Sequence, residues 1–134
     1  MYLLLFTFAL TLAVISCNKD AATKSNKELL TSTQWKIFSR STNGVAEVFE
    51  NCEKDNYVIF SSNGTFTYNP GTLKCFADEV ATNGSWSLSS DEKKITLSST
   101  GQISEGIIVE LTESKFVASG GTGSSAWVET YVAF

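Results

Sequence analysis

Most of this sequence consists of short runs of strand-forming residues separated by turn signals, and this pattern restricts the possible folds more than any other feature. Runs of this length at near-regular spacing are typical of antiparallel barrels and sandwiches. No long helical period interrupts them, so parallel strand–helix–strand units are not expected. The predicted strands are Gln34–Arg40, Val45–Glu50, Asn56–Ser61, Thr65–Asn69, Gly84–Ser89, Lys94–Ser99, Gly106–Thr112, Lys115–Ser119 and Ala126–Ala133.

A short helix is predicted before the first strand. Ser25-Asn26-Lys27-Glu28 fits the capping box, in which a serine and a glutamate three residues later satisfy each other's backbone donors. Leu29 and Leu30 follow directly and supply an apolar face. We therefore expect one or two helical turns here.

Two registers compete in the hairpin around Asn63-Gly64. A two-residue turn pairs Phe60 with Thr67, whereas a three-residue loop with Gly64 in the left-handed conformation pairs Phe60 with Phe66. The second register places apolar partners opposite each other on one face, so we favour it.

The first sixteen residues have the character of a signal peptide. Tyr2 to Ser16 is almost wholly apolar, but it is shorter than the ~20 apolar residues that a spanning helix needs, and it ends in small residues. No lysine or arginine precedes the apolar run. The segment is therefore expected to be removed from the mature protein.

Val14-Ile15-Ser16-Cys17 resembles the lipobox of bacterial lipoproteins. In that family the cysteine thiol receives a diacylglycerol, a peptidase cuts before the cysteine, and the new amine is acylated. The resemblance implies a lipid attached to Cys17, because two or three acyl chains, at ~0.8 kcal/mol per buried CH₂, hold a protein firmly on a membrane. The alternative is a soluble secreted protein in which Cys17 is a free thiol.

These features predict a signal peptide over residues 1–16, a polar tether over 17–27 and one β-domain over 28–134. The predicted location is the bacterial cell envelope, with the outer membrane favoured and its face left open. Once Cys17 is assigned to lipid, Cys52 and Cys75 are an even pair in an oxidising setting. Either register of the hairpin brings them together at its open end, so a disulfide is predicted.

Composition argues against several classes of function. The chain has a formal net charge of −4, which makes nucleic acid a poor partner because phosphate contacts need Lys and Arg. It contains no histidine, so the commonest general base and metal ligand is missing. We expect no enzyme activity and assign no catalytic residue, metal ligand or cofactor. The carboxylates at Glu47, Glu50, Glu53, Asp55, Asp78 and Glu79 are interpreted as a solvated acidic face.

Several motifs in order resemble the lipocalin-like domains of small Gram-negative lipoproteins. These motifs are Leu29-Leu30 before Trp35-Lys36-Ile37, then Cys52, Tyr57–Phe60, Asn63–Phe66, Cys75, Asn83–Leu88 and Ile95–Leu97. Lipocalins proper carry a glycine two residues before the tryptophan, where this chain has Thr33. The resemblance implies an all-β, antiparallel, up-and-down barrel of about eight strands on a lipid anchor, without enzyme activity.

Five aromatic residues are expected to point into such a barrel and to form either a ligand cavity or a packed core. An eight-stranded barrel is just wide enough to be filled by side chains or to hold one small ligand. We favour the packed core, in which large rings fill much of the interior, and a small pocket at the mouth is left open as the alternative. The five candidates are Trp35, Phe60, Phe66, Trp86 and Trp127.

The sequence thus favours a monomeric, non-catalytic protein that binds or carries a small apolar ligand. The alternative is a protein-interaction or inhibitor module that acts through its loops and has a filled core. A ligand in the cavity distinguishes the first from the second.

Overall fold

The structure, a computed structural model, describes residues 23–134. The predicted signal peptide, Cys17 and most of the predicted tether lie outside these residues. The described chain forms one short α-helix, nine strands and a single 3₁₀ turn at Gly123–Ser125 between the last two strands. Their bounds are α1 Asn26–Leu30, β1 Gln34–Thr42, β2 Val45–Ala46, β3 Tyr57–Phe60, β4 Thr65–Asn69, β5 Thr82–Leu88, β6 Lys94–Ser99, β7 Gln102–Leu111, β8 Lys115–Gly120 and β9 Trp127–Ala133.

The sheet closes because β1 pairs on one side with β3 and on the other side with the last strand, β9. Each remaining strand pairs antiparallel with the next in the chain, so β1 and β3 to β9 form an eight-stranded barrel. The short strand β2 pairs with the end of β1 outside this circle. The predicted all-β, antiparallel, up-and-down barrel is confirmed.

The second predicted strand was wrong in length. Only Val45–Ala46 pairs with β1, whereas Val45–Glu50 was expected. Residues 47–56 instead form a loop across one end of the barrel, which we call the mouth. A disulfide and several side chains hold this loop, and they supply the contacts that a longer strand would otherwise make.

Helix α1 closes the opposite end of the barrel. The capping box is confirmed, since the Ser25 hydroxyl accepts from the Glu28 amide at 3.2 Å and the Glu28 carboxylate accepts from the Ser25 amide at 2.7 Å. Leu30 is fully buried at the end of the barrel core. The helix starts at Asn26, so the last two residues of the predicted tether belong to it. Within residues 23–134, no helix is long and apolar enough to cross a membrane.

Aromatic rings pack the half of the barrel next to α1. Trp35 is fully buried, and its indole nitrogen donates to the carbonyl of Leu30 at 2.9 Å. The ring of Phe116 lies edge-on to Trp35 with centroids 5.8 Å apart. Phe60 lies edge-on to Trp86 at 5.4 Å. Each indole or phenyl ring is thus enclosed by others, and this half of the barrel has a solid floor.

The hairpin of β3 and β4 has the favoured register, in which Phe60 faces Phe66. Gly64 has φ of +84°, as the three-residue loop requires. The predicted disulfide is also confirmed, with the Cα atoms of Cys52 and Cys75 5.2 Å apart. It joins loop 47–56 to loop 70–81, and these two loops border the mouth.

The disulfide is expected to contribute substantially to stability. A cross-link between residues 23 positions apart removes conformational entropy from the unfolded chain, so replacing both Cys52 and Cys75 with serine should lower the free energy of unfolding by about 3 kcal/mol. Urea denaturation measures this change. A reductant should bring the wild type to the value of the variant and leave the variant unaffected. Equal stability of both proteins without reductant would contradict the assignment.

Gly84 on β5 is expected to tolerate no side chain. A Cβ there would collide with the carbonyl oxygen of Ser98 and lie 2.5 Å from the ring of Phe66. Gly84→Ala should therefore lower the free energy of unfolding by about 1–3 kcal/mol through overpacking. Ser85→Ala on the exposed face of the same strand is the control, with an expected change within about 0.5 kcal/mol. Denaturation of both variants gives the comparison.

Candidate functional site

A cavity of about 170 Å³ occupies the mouth half of the barrel, above the aromatic floor. Loop 47–56 covers part of it through Phe49 and Glu53. Its wall is mostly apolar and aromatic, with a few polar groups near the mouth, as is typical of small-molecule sites. The lining residues are Ile37, Arg40, Phe49, Glu53, Asn56, Tyr57, Val58, Phe60, Phe66, Tyr68, Ile95, Leu97, Phe116, Glu129 and Tyr131.

An ion pair between Arg40 and Glu129 forms the polar centre of this wall. The two residues lie directly opposite each other on β1 and β9, and Arg40 Nε donates to Glu129 Oε1 at 2.6 Å. Arg40 faces inward because the β1–β9 pairing shifts register between Ile37 and Ser39. This bulge inserts Phe38, which is exposed outside the barrel, and resets the alternation of the strand.

The guanidinium of Arg40 has two further neighbours. Its Nη1 lies 3.7 Å from Glu47 Oε2, and its centre lies 5.8 Å from the ring centroid of Phe49. Partial burial opposes the charge, but the carboxylates of Glu129 and Glu47 outweigh it and raise the pKa of Arg40 above its ordinary value. Arg40 is therefore a cation, and the carboxylates next to it already compensate its charge.

Tyr131 connects the ion pair to the aromatic floor. Its hydroxyl donates to Glu129 Oε2 at 2.5 Å, and its ring stacks on Phe116 with centroids 5.4 Å apart. Burial and then the adjacent Glu129 carboxylate raise the pKa of Tyr131 well above its ordinary value. The phenol thus stays protonated at neutral pH and fixes the second oxygen of Glu129.

Asn56 holds the other side of the mouth. It is buried, and its amide satisfies all its partners when the nitrogen donates to the carbonyls of Pro70 and Cys52, at 2.8 and 3.1 Å. Its oxygen then accepts from the hydroxyl of Tyr68 at 2.6 Å. Because Cys52 is also disulfide-bonded, this network fixes the position of loop 47–56 over the cavity.

A second, more open cavity of about 300 Å³ lies on the other side of the Arg40–Glu129 pair. Trp127 forms part of its wall and packs over two glycines, one on the adjacent strand β8 and one on β7. A Cβ at Gly120 would lie 2.5 Å from the indole, and one at Gly106 would lie 3.1 Å from it. The small residues therefore make room for a large ring near the rim.

The five aromatic residues proposed from the sequence lie at three levels of the barrel. Phe60 and Phe66 line the cavity of about 170 Å³ above the floor, which we call the main cavity, and Trp127 lines the second one. Trp35 and Trp86 lie in the packed floor, and Trp86 also borders an outer groove next to Glu92. The structure thus brings Phe60 and Phe66 together at one cavity and separates the three tryptophans from it.

The polar centre was not among the site residues predicted from the sequence. Glu129 and Tyr131 share the strand face of Trp127, so alternation along β9 was a usable signal for both. Simple alternation from Trp35 places Arg40 on the outer face of β1. Only the bulge at Phe38 reverses this, and no residue in the sequence marks it.

Two carboxylates of the mouth loops, those of Asp55 and Glu79, hold the backbone of loop 70–81. Asp55 Oδ2 accepts from the amides of Leu73 and Thr72 at 3.0 and 2.8 Å, and these bonds hold the pKa of Asp55 below its ordinary value. Glu79 accepts from the amide of Cys75 at 2.9 Å. Within residues 23–134, no three His, Cys, Asp or Glu side chains are grouped to hold a metal ion.

Comparison with known proteins agrees with this architecture. No curated protein matches the sequence. The crystal structure of an uncharacterized protein from Bacteroides eggerthii is similar, with a TM-score of 0.57 at 11% identity over 76% of this chain and 98% of that chain. At this identity the likeness shows the fold alone. The sequence model of the lipocalin-like domain matches residues 32–118. The chain therefore belongs to the lipocalin-like domain family.

Proposed function

We propose that this protein is a lipid-anchored, non-catalytic component of the cell envelope that binds a small, mainly apolar molecule inside its barrel. The observation that carries the proposal is the cavity of about 170 Å³ above a tightly packed floor. An apolar cavity of roughly 150 Å³ is large enough to bind benzene. The ligand is therefore expected to be about the size of one substituted ring.

Binding without catalysis is supported by how the polar groups are used. Arg40, Glu129 and Tyr131 bond to one another, so each supports the shape of the wall. The raised pKa of Tyr131 opposes its use as a base at neutral pH. The chain has no histidine to activate one of its serines. Orientation of a bound molecule is the role that this arrangement suits.

A lipid on Cys17 suits the geometry of the described residues. Asn26 donates to Glu92 at 2.7 Å, and Lys24 donates to Glu113 at 2.5 Å. Both acceptors lie in turns at the end of the barrel that α1 closes. An anchor a few residues before Lys24 would therefore join the chain at the end opposite to the mouth. We propose a monomer in the outer membrane whose cavity stays accessible.

One observation favours the alternative of a protein-interaction module. The two loops at the mouth expose four large apolar side chains, two of them more than two-thirds exposed on loop 70–81. Large apolar side chains exposed on loops are found at contact surfaces. They also fit the entrance of a ligand cavity, so occupancy of the cavity decides between the two functions. The four residues are Val48, Leu73, Phe76 and Val80.

Occupancy is tested by native mass spectrometry of protein taken from its own membrane. The wild type should carry a bound small molecule, and Leu97→Trp should lose it, because Leu97 lines both cavities and the indole fills them. When the free ligand is present at 100 times its Kd, a variant that cannot bind it should have a free energy of unfolding about 2.7 kcal/mol lower than that of the wild type.

The matched control is Ile107→Trp, which adds the same ring to the exposed outer face of the neighbouring strand and should retain the ligand. An empty wild-type barrel whose cavity residues show no NMR response to ring-sized probes would contradict ligand binding. Loss of a protein partner on Phe76→Ser, with an empty cavity, would support the interaction module.

The lipid anchor is tested separately by Cys17→Ser. This variant should move from the membrane fraction to the aqueous phase on detergent phase separation, because it has no acyl chains to bury. Cys52→Ser with Cys75→Ser is the control and should stay with the membrane. Intact mass should show acyl groups on the wild-type N-terminus. If the wild type partitions into the aqueous phase with an unmodified Cys17, the proposed lipid anchor is wrong.

A further inference from the structure

The charges around the main cavity are not balanced. Its wall contains one cationic side chain, Arg40, and two carboxylates, Glu53 and Glu129. Arg40 is already matched by Glu129 at 2.6 Å and approached by Glu47 at 3.7 Å. Its guanidinium also lies near the ring of Phe49. The positive charge is thus compensated, and negative charge remains in excess at the mouth.

Glu53 carries this excess into the cavity wall. Its Oε2 accepts from the amide of Glu50 at 2.8 Å, and among the described residues no hydrogen bond reaches its Oε1. Lys54, the next residue, donates to Asn51 at 2.9 Å. The disulfide at Cys52 fixes the loop beside Glu53. A carboxylate oxygen is therefore held next to the cavity without a cationic partner among residues 23–134.

Aromatic rings form much of the remaining wall. The faces of such rings carry negative electrostatic potential and attract cations, most strongly where water is excluded. A carboxylate beside a wall of aromatic rings is an arrangement that favours organic cations. The same arrangement repels an anion, because a ligand carboxylate meets an excess of like charge. The rings belong to Phe49, Tyr57, Phe60, Phe66, Tyr68, Phe116 and Tyr131.

We infer that the cavity selects small apolar molecules that carry a positively charged amine or ammonium group and rejects the corresponding carboxylates. The apolar part lies on the floor formed around Phe60 and Phe116, and the cationic group lies at the mouth near Glu53. This inference rests on the proposed function, since it specifies the ligand class of the same cavity. The alternative to be tested is the reverse selectivity, in which the carboxylate of an anionic ligand binds to the Nη atoms of Arg40.

Three probes that share one phenylethyl group and differ in the charge of the end group distinguish these arrangements. They are 2-phenylethylamine, 2-phenylethanol and 3-phenylpropionate, which at pH 7 are a cation, a neutral molecule and an anion. NMR titration of the full mature protein measures their affinities at equal ionic strength. The amine should bind at least about tenfold more tightly than the carboxylate, with the alcohol between them.

Glu53→Gln tests the residue that carries the inference. The amide keeps the shape and an oxygen for the Glu50 amide, so the fold should persist, and thermal unfolding without ligand checks this. Affinity for the amine should fall severalfold, and the preference over the carboxylate should narrow. Glu50→Gln removes the same charge from an exposed position of the same loop that does not line the cavity, and it should leave the preference unchanged.

The wild-type order of affinities tests the inference even if Glu53→Gln fails to fold. A carboxylate bound as tightly as the amine overturns the selectivity for cations and leaves ligand binding intact. Binding of none of the three probes overturns the proposed function, and this inference with it. Equal loss of the preference in Glu50→Gln also overturns the role of Glu53, since the effect then comes from overall charge.

Discussion

The pairing of β1 with β9 is the contact on which the rest of the structure depends. It joins the first strand of the barrel to the last and turns an open meander into a closed cylinder. Closure removes the exposed strand edges that an open sheet would present. It also creates an interior, and it places Arg40 opposite Glu129 in the mouth half of that interior. The seam of the barrel is thus also the polar wall of its cavity.

The interior is divided along its length by the size of the side chains that point into it. Near α1, Trp35, Phe60 and Phe116 pack against one another and leave no room for a guest. Toward the mouth, smaller aliphatic residues such as Ile95 and Leu97 face the ion pair across open space. A packed floor lets the barrel fold without a ligand, while the other half remains available for binding. The mouth loops, tied by Cys52 and Cys75, limit how far that half can collapse.

Polar groups in this interior are tolerated because they satisfy one another. Burial of an isolated charge is costly, and the cost falls when hydrogen bonds and an opposite charge accompany it. Glu129 meets this condition with Arg40 on one oxygen and Tyr131 on the other. Glu53 accepts a hydrogen bond on one oxygen only and has no cationic partner among residues 23–134. It is therefore the carboxylate of the wall that is available to a ligand.

Local pattern in the sequence determined the β-class, most strand positions, the capped helix, the register of the central hairpin and the disulfide. Each of these depends on neighbours in the chain or on a hairpin that a turn sets, so composition and spacing are sufficient. The second strand was predicted too long because nothing local reveals that residues 47–56 are bound to loop 70–81. Phe60 and Phe66 were recognised as inward-facing, but their place in a cavity depends on what lies across the barrel.

The position of the polar centre depends on contacts between strands that are far apart in the chain. The bulge at Phe38 reverses which face of β1 points inward, and it brings Arg40 from the expected outer surface into the cavity. Such a bulge adjusts one strand to the register of its partner. The partner here is far away in the chain, since Arg40 and Glu129 are 89 residues apart. Alternation along one strand carries no information about a register set at that distance. The sequence therefore determined a closed β-barrel with aromatic filling, and long-range pairing determined the charges that its cavity presents.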